Sequence, residues 1–202
     1  MIKGYYFITD RKLSKNGNES DGKKAIEAGV SIVQYRNKVS SFSDFCQEAR
    51  LLKKMCDGKA LFIVNDRVDA ALSIGADGVH IGQDDASYEK ARELLGDRKI
   101  IGVTVHNIEE AVLYEKKGSD YLGVSPIFST NTKEDAGKPA GIDLIREVKK
   151  ASKLPLAAIG GIDLSNAKDV IDAGADAICA ISAVVTRDDV RSEIEKFQDL
   201  FY

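Results

Sequence analysis

The chain has 202 residues, of which 44% are apolar and 30% charged, and its formal net charge is -3. This length suits one domain with a sizeable core, predicted over residues 1–202. The acidic balance disfavours nucleic-acid or anionic-membrane binding, and no run approaches the ~20 apolar residues of a membrane helix. Three cysteines without a signal-peptide pattern are typical of reduced thiols, so we expect a cytoplasmic protein.

Short apolar runs recur along the chain and predict eight buried strands. These strands cover residues 5–9, 31–36, 61–65, 78–82, 99–104, 121–125, 156–160 and 177–182. The stretches between them are amphipathic and predict helices, for example over residues 42–55, 88–95 and 108–116. Strands of this kind, alternating with helices, indicate a parallel sheet covered by helices.

A weak internal repeat supports closure of this sheet into a barrel. At four glycines a helical pattern ends and a short apolar run follows, as expected for a left-handed residue just past a helix. Each repeat is long enough for two β/α units, so we predict an α/β fold, a (β/α)8 TIM barrel. A doubly wound open sheet is the alternative, but no Gly-x-Gly-x-x-Gly follows the first strand. The four glycines are Gly29, Gly75, Gly118 and Gly174.

The second predicted strand ends in cations. Side chains alternate along a strand, so Gln34, Arg36 and Lys38 share one face. The Arg fork and the compact Lys charge together suit phosphate oxygens. The alternative is a strand that frays into a solvated loop. Polar ends on the later strands favour the anion site, because function belongs at the carboxyl ends of barrel strands.

Carboxylates follow the next two predicted strands. Asn65 and Asp66 end the third strand, and Asp84 and Asp85 follow the fourth. Two carboxylates beside phosphate-binding cations predict Mg²⁺ held by Asp66, Asp85 and a phosphorylated substrate. The alternative is that these residues cap the following helices, above all Asp85, and Asp84 could exchange roles with Asp85.

The last predicted strands supply a second anion site. Gly160-Gly161 ends the seventh strand and Ile181-Ser182 the eighth, where this fold often binds phosphate through backbone N–H groups. The alternative is a pair of turns that need flexible backbone. A polar loop over residues 129–133 follows the sixth strand and adds Lys133 as a third cation. Two anion sites predict two phosphorylated substrates, or one with a phosphate at each end.

The two histidines have different expectations. His80 lies in mid-strand between apolar neighbours, so we expect a buried structural histidine. His106 follows the fifth strand at the barrel mouth, as a proton carrier or as a group that positions a neighbour.

In order and spacing these motifs resemble the thiamine-phosphate synthase family over nearly the whole chain. The resemblance implies a (β/α)8 barrel transferase that uses Mg²⁺ to join a pyrimidine diphosphate to thiazole phosphate, releasing pyrophosphate. The motifs are Gln34-x-Arg36-x-Lys38, Asn65-Asp66, Gly82-Gln83-Asp84-Asp85, Thr130-Asn131-Thr132-Lys133, Gly160-Gly161-Ile162 and Ile181-Ser182.

The resemblance also implies roles for single residues. Arg36, Lys38 and Lys133 would act on the departing pyrophosphate, and Asp66 and Asp85 would bind Mg²⁺. The pyrimidine diphosphate would contact Gln34, Arg36, Lys38, Asn65, Thr104 and Lys133. The thiazole phosphate would contact Thr130, Thr132, Gly161, Ile181 and Ser182. Thr104 departs from the family's usual Ser, and its extra methyl could reshape the pyrimidine pocket.

Two alternative functions stay open at this point. A thiazole tautomase of similar fold would use a histidine at His106 to move a proton and would not need the cations. A non-catalytic binder of phosphorylated metabolites would need both anion sites but no Mg²⁺. The sequence leaves open whether the chain forms a homo-oligomer.

Overall fold

The structure, a computed structural model, describes residues 2–130, 132 and 137–202. Its strand segments join one sheet in which every pairing is parallel. They are β1 (Gly4–Tyr5), β2 (Phe7–Ile8), β3 (Ile32–Tyr35), β4 (Leu61–Asn65), β5 (Gly78–Ile81), β6 (Ile100–Val105), β7 (Tyr121–Val124), β8 (Leu156–Ile159) and β9 (Ala177–Cys179).

Helices alternate with these strands along the chain. They are α1 (Asn18–Glu27), α2 (Phe42–Cys56), α3 (Val68–Ile74), α4 (Tyr88–Leu95), α5 (Ile108–Lys117), α6 (Gly141–Ala151), α7 (Ala167–Asp172), α8 (Ile181–Val185) and α9 (Val190–Asp199). The three helices predicted by amphipathic pattern lie at α2, α4 and α5, within one residue at each end. Among the described residues, no helix is long and apolar enough to cross a membrane.

The sheet closes on itself through its first two segments. Only Tyr6 separates β1 from β2, yet β1 pairs with β9 and β2 pairs with β3. The two segments therefore act as one barrel strand that changes partner, and the sheet has eight strand positions around its axis. The predicted (β/α)8 barrel is confirmed.

Two strand predictions were wrong in detail. The predicted strand over residues 5–9 is interrupted at Tyr6, because the chain changes pairing partner there. The predicted strand over 177–182 ends at Cys179, and Ile181 begins the short helix α8. In a continuous apolar run, the spacing of apolar residues is the same whether they belong to a strand or to a helix. The boundary between β9 and α8 therefore could not be predicted from the hydrophobic pattern.

The apolar core has two layers. The inner layer fills the barrel and includes Tyr6, Ile32 and Tyr121, all almost fully buried. The outer layer lies between strands and helices and includes Phe45 of α2 and Phe62 of β4. Because the inner layer fills the barrel, the pocket for a ligand is left at the barrel mouth.

Candidate active site

One cavity opens at the carboxyl ends of the strands and collects the predicted site residues. Every predicted site residue within the described part of the chain lines it. Lys133 lies outside the described residues. The lining set includes Gln34, Arg36, Lys38, Asn65, Asp66, Asp85, Thr104, Thr130, Thr132, Gly161, Ile181 and Ser182.

Strand β3 presents its polar face to this cavity. Ile32 points into the barrel interior, and Gln34, two residues on, lies at the cavity floor with 3% exposure. Because side chains alternate between the two faces of a strand, Arg36 and Lys38 lie on the same face as Gln34, and both also line the cavity. The strand therefore leads an amide and two cations into one pocket.

Arg36 is held by a buried carboxylate. Its Nη1 is paired with Oδ2 of Asp10, whose side chain is only 4% exposed. The other oxygen of Asp10 accepts hydrogen bonds from the backbone N–H groups of Lys12 (3.0 Å) and Leu13 (3.1 Å). The backbone N–H of Arg36 also donates to Oγ1 of Thr9 at 2.9 Å. The guanidinium is thus fixed before any ligand arrives.

Lys38 and Asp66 form an ion pair at the mouth of the cavity. Asp66 adopts a left-handed backbone with φ of 61°, a conformation that Asp tolerates better than most residues. Its Oδ1 accepts a hydrogen bond from Nδ2 of Asn65 at 2.7 Å. Backbone and neighbours together turn this carboxylate toward the cavity.

Asp85 lies beside Asp66. Asp85 is exposed to the cavity, yet partial burial of its carboxyl group raises its pKa, and a hydrogen bond with Asp66 raises the pKa further. Its Oδ2 accepts from the backbone N–H of Gly82 at 2.7 Å. The capping alternative for Asp85 is wrong, because Ser87 caps α4 by accepting from Lys90 N at 3.3 Å.

These two carboxylates fit a divalent cation. They are hard oxygen ligands on adjacent strand ends, and partial burial of Asp85 beside the negative charge of Asp66 raises the pKa of Asp85, an effect that a bound cation would offset. The described residues contain no cluster of three or more His, Cys, Asp or Glu that could hold a metal. A hard cation would therefore take its remaining oxygens from water and a ligand.

A hydrogen-bonded chain crosses the cavity floor, and the sequence reasoning missed most of it. Gln34 Nε2 donates to Tyr6 OH (2.8 Å), and Tyr6 OH lies 2.7 Å from Tyr121 OH. His80 bridges onward, with Nδ1 3.0 Å from Tyr121 OH and Nε2 2.9 Å from Thr104 Oγ1. The only sequence signal was that a buried Tyr needs a partner for its hydroxyl.

The expectation for His80 was therefore incomplete. Its side chain is half-buried and lines the cavity. Gly123 makes room for the ring, because a Cβ on Gly123 would lie 2.8 Å from His80 Cε1. Burial raises the pKa of both Tyr6 and Tyr121, so the two hydroxyls keep their protons.

The ends of β8 and β9 form a recess that shares residues with the main cavity. Gly160 and Gly161 both have positive φ, at 107° and 64°. A Cβ on Gly161 would lie 2.4 Å from the carbonyl oxygen of Ser129, so glycine is required there. The recess is lined by Leu13, Ser129, Thr130, Thr132, Gly161, Ile162, Asp163, Ser182, Ala183 and Arg187.

His106 is exposed at the mouth and lines the cavity. Its Nδ1 lies 2.6 Å from the carbonyl oxygen of Ser125. Because a carbonyl only accepts, His106 carries a proton on Nδ1.

The comparisons with known proteins agree on one family. The family model described as thiamine monophosphate synthase matches residues 5–184. A thiamine-phosphate synthase of Methanosarcina mazei is 53% identical over 196 residues, covering 97% of this chain and 82% of the relative. A thiamine-phosphate synthase of Methanosarcina barkeri is 54% identical, covering 97% of this chain and 89% of the relative.

A solved structure agrees with these relatives. The thiamine phosphate pyrophosphorylase of Pyrococcus furiosus superposes with a TM-score of 0.90 at 37% identity. The match covers 98% of this chain and 94% of that protein. Sequence and structure comparisons therefore point to the same family.

Proposed function

We propose that this chain, which belongs to the thiamine monophosphate synthase family, joins a pyrimidine diphosphate to a thiazole phosphate in the cavity described above. Membership makes it a transferase of thiamine biosynthesis that makes thiamine phosphate from small molecules. The assignment of each substrate to one side of the cavity is our proposal. The observation that carries it is that two groups of residues chemically suited to binding anions line one cavity from opposite sides of the barrel.

The diphosphate side is built on β3, β4 and β5. Arg36 and Lys38 would bind the diphosphate oxygens, the first by its fork and the second as a point charge. Lys133, outside the described residues, is proposed as a third cation from the sequence alone. The nearby amide of Asn65 would donate to the same group.

Asp66 and Asp85 would hold Mg²⁺ on this side of the cavity. When bound there, the ion would neutralise charge on the leaving diphosphate. The lysine that now pairs with Asp66 would then be free to contact the diphosphate. This exchange of partners links metal binding to substrate binding.

The pyrimidine ring would lie on the cavity floor. Gln34 and Thr104 are the two polar ends of the floor network, held by Tyr6, Tyr121 and His80. Because Tyr6 and Tyr121 are buried and hydrogen-bonded to each other, they limit the movement of the network, and its two ends suit a flat heteroaromatic ring with hydrogen-bonding groups. The methyl of Thr104 would narrow this pocket.

The thiazole phosphate would occupy the recess at the ends of β8 and β9. Gly161 brings backbone close to the ligand position, and the hydroxyls of Thr130, Thr132 and Ser182 surround it. Hydroxyl and backbone donors, together with the guanidinium of Arg187 that also lines the recess, would bind a phosphate without a metal. The two anion sites therefore differ in chemistry.

The reaction needs little proton transfer from the protein. Departure of pyrophosphate leaves positive charge on a benzylic-type methylene, which the aminopyrimidine delocalises. The thiazole nitrogen already has a free lone pair, so no general base is required. The residues would act by holding both substrates in line and by stabilising the charge of the leaving group, the role that we propose for Arg36 and Lys38 because both line the cavity.

The location and assembly of the protein are further proposals. The three free cysteines are all buried and unpaired with one another, which supports a reducing compartment such as the cytoplasm. A homo-oligomer of this chain is a further proposal, which analytical ultracentrifugation would test.

A product assay tests the proposed reaction. Purified protein is incubated with pyrimidine diphosphate, thiazole phosphate and Mg²⁺, and the products are identified by chromatography. We expect thiamine phosphate and pyrophosphate in equal amounts. An isomerised thiazole phosphate without pyrophosphate would support the tautomase instead, and binding without turnover would support the non-catalytic binder.

A further inference from the structure

We propose that Glu48, on α2 outside the barrel, is a positioning residue that holds the turn carrying Lys38 in the geometry that binds a diphosphate. The proposal rests on the proposed role of Lys38 and deepens it. Glu48 does not line the cavity, so it would act only through the residues it contacts.

Three donors from different parts of the chain meet at one oxygen of Glu48. Its Oε2 accepts from Tyr35 OH (2.5 Å), Asn37 Nδ2 (3.1 Å) and Asn18 Nδ2 (3.1 Å). Tyr35 and Asn18 are fully buried, and Asn37 is 5% exposed. Since buried donors are costly to leave unpaired, this carboxylate fixes the relative positions of β3, α1 and the turn after β3.

Asn37 passes this constraint to the turn. Its Oδ1 accepts from the backbone N–H groups of Val39 and Ser40, both at 3.2 Å. Its Nδ2 lies 2.7 Å from Ser40 Oγ. The side chain of Asn37 therefore forms the centre of the turn, and Lys38 lies within it.

The turn depends on side chains because the sheet ends before it. The last residue of β3, Tyr35, is paired with Val64 of the neighbouring strand. Beyond that pair, the backbone N–H of Arg36 donates to the side chain of Thr9. Loss of the Glu48 carboxylate would thus loosen the turn after β3 and leave the pairing of β3 with its neighbouring strand intact.

The hydrogen bond from Tyr35 to Glu48 is of a chemically strong type. Burial, and next the hydrogen bond to Glu48, raise the pKa of Tyr35, so its hydroxyl keeps its proton and donates. Hydrogen bonds to an ionised acceptor are stronger than those between neutral groups. A neutral amide in place of Glu48 would retain the shape of the side chain and weaken all three bonds.

The first test compares Glu48→Gln with the wild type in steady-state kinetics. We expect the KM for pyrimidine diphosphate to rise about tenfold, and the KM for thiazole phosphate to stay within about twofold, because only one side of the cavity moves. Tyr35→Phe, which removes a single donor, should change the same KM in the same direction and covers the case in which Glu48→Gln does not fold.

A matched control is Asp176→Asn. Asp176 Oδ2 also holds a strand, accepting from Leu156 N at 2.9 Å, and it pairs with Lys149. It lies outside both sets of lining residues. Asp176→Asn should lower the melting temperature and leave unchanged the ratio of the KM for pyrimidine diphosphate to the KM for thiazole phosphate.

The second test repeats Glu48→Gln in a Lys38→Ala background. If Glu48 acts through Lys38, its effect on the pyrimidine diphosphate KM should shrink to within about twofold. An undiminished effect in that background would overturn the proposal, as would equal changes of both KM values in the single variant.

A binding measurement separates this proposal from the proposed function. If the wild type made no thiamine phosphate, the proposed function would be wrong, and titration calorimetry with inorganic pyrophosphate and Mg²⁺ would still decide the role of Glu48. Binding about tenfold weaker in Glu48→Gln would support it. Equal affinity of wild type and variant would refute it.

Discussion

Lys38 and Asp66 neutralise each other at the mouth of the cavity. Lys38 is proposed to bind the diphosphate and Asp66 to bind Mg²⁺. In the ion pair, Lys38 therefore takes the position of the metal next to Asp66, and Asp66 takes the position of the diphosphate next to Lys38. Loading the site with metal and substrate together would therefore replace one ion pair by two new charge contacts. This relationship predicts that metal and diphosphate bind more tightly together than either does alone.

The carboxylates are tested by Asp66→Asn and Asp85→Asn. Each should lower turnover by roughly 10²-fold and raise the Mg²⁺ concentration needed for half-maximal rate, because one hard ligand is lost. Rates over a Mg²⁺ titration measure this. Unchanged Mg²⁺ dependence in either variant would remove that residue from the metal site.

The same helix region offers a matched control in Ser87→Ala. Ser87 caps α4, so its loss should cost about 1 kcal/mol of stability with normal turnover. Asp85→Asn should show the reverse pattern, with stability within about 0.5 kcal/mol of the wild type. Thermal unfolding of Ser87→Ala and Asp85→Asn measures the stability of each variant, and the product assay measures its turnover.

The floor network is tested by Gly123→Ala. The added methyl would approach His80 Cε1 to 2.8 Å, so the ring must move and loosen its contact with Thr104. We expect a higher KM for pyrimidine diphosphate and little change for thiazole phosphate. A rise confined to the thiazole phosphate KM would show that the pyrimidine does not occupy the floor.

The recess is tested by Ser182→Asp. A negative charge there would repel the phosphate of the thiazole and should raise its KM by at least about tenfold. Thr186→Asp is the control, since Thr186 lies one helical turn further on and outside both sets of lining residues. If the two substitutions raised the thiazole phosphate KM by similar factors, the cause would be the added negative charge of the protein as a whole and not a phosphate site at Ser182.

A buried thiol predicts a pH dependence of stability. Burial raises the pKa of Cys56 to about 12, whereas an unfolded thiol ionises near 8.5. Above that lower value the unfolded chain binds fewer protons than the native one, so stability falls as pH rises toward 12. Denaturant unfolding at about pH 8 and about pH 10 should show this loss, and Cys56→Ala should reduce it. An identical loss in the variant would assign the effect to other buried groups, such as the thiol of Cys179 and the hydroxyls of Tyr6 and Tyr121, whose pKa values burial also raises.

Much of the fold could be predicted from the sequence because its signals were local and periodic. Apolar runs of strand length and amphipathic stretches between them indicated the elements, and the glycines after four of the helices marked the repeat. The change of partner at Tyr6 could not be predicted, because it depends on barrel closure and not on neighbouring residues.

The position of the cavity was predictable from charged groups at strand ends, such as Arg36 and Asp66, which both line it. The sequence did not predict the parts of the candidate site that are built from contacts between distant positions. Tyr6 and Tyr121 meet only when the barrel closes, and Glu48 reaches Tyr35 only when α2 packs on β3. Such pairings have no signature in a single sequence.

A crystal structure with thiamine phosphate, pyrophosphate and Mg²⁺ would test the two-sided cavity most directly. We predict pyrophosphate beside Arg36 and Lys38, with the metal between it and the carboxylates of Asp66 and Asp85. The phosphate of thiamine phosphate should lie against Gly161. Pyrophosphate bound against Gly161, or a metal away from both carboxylates, would contradict the account.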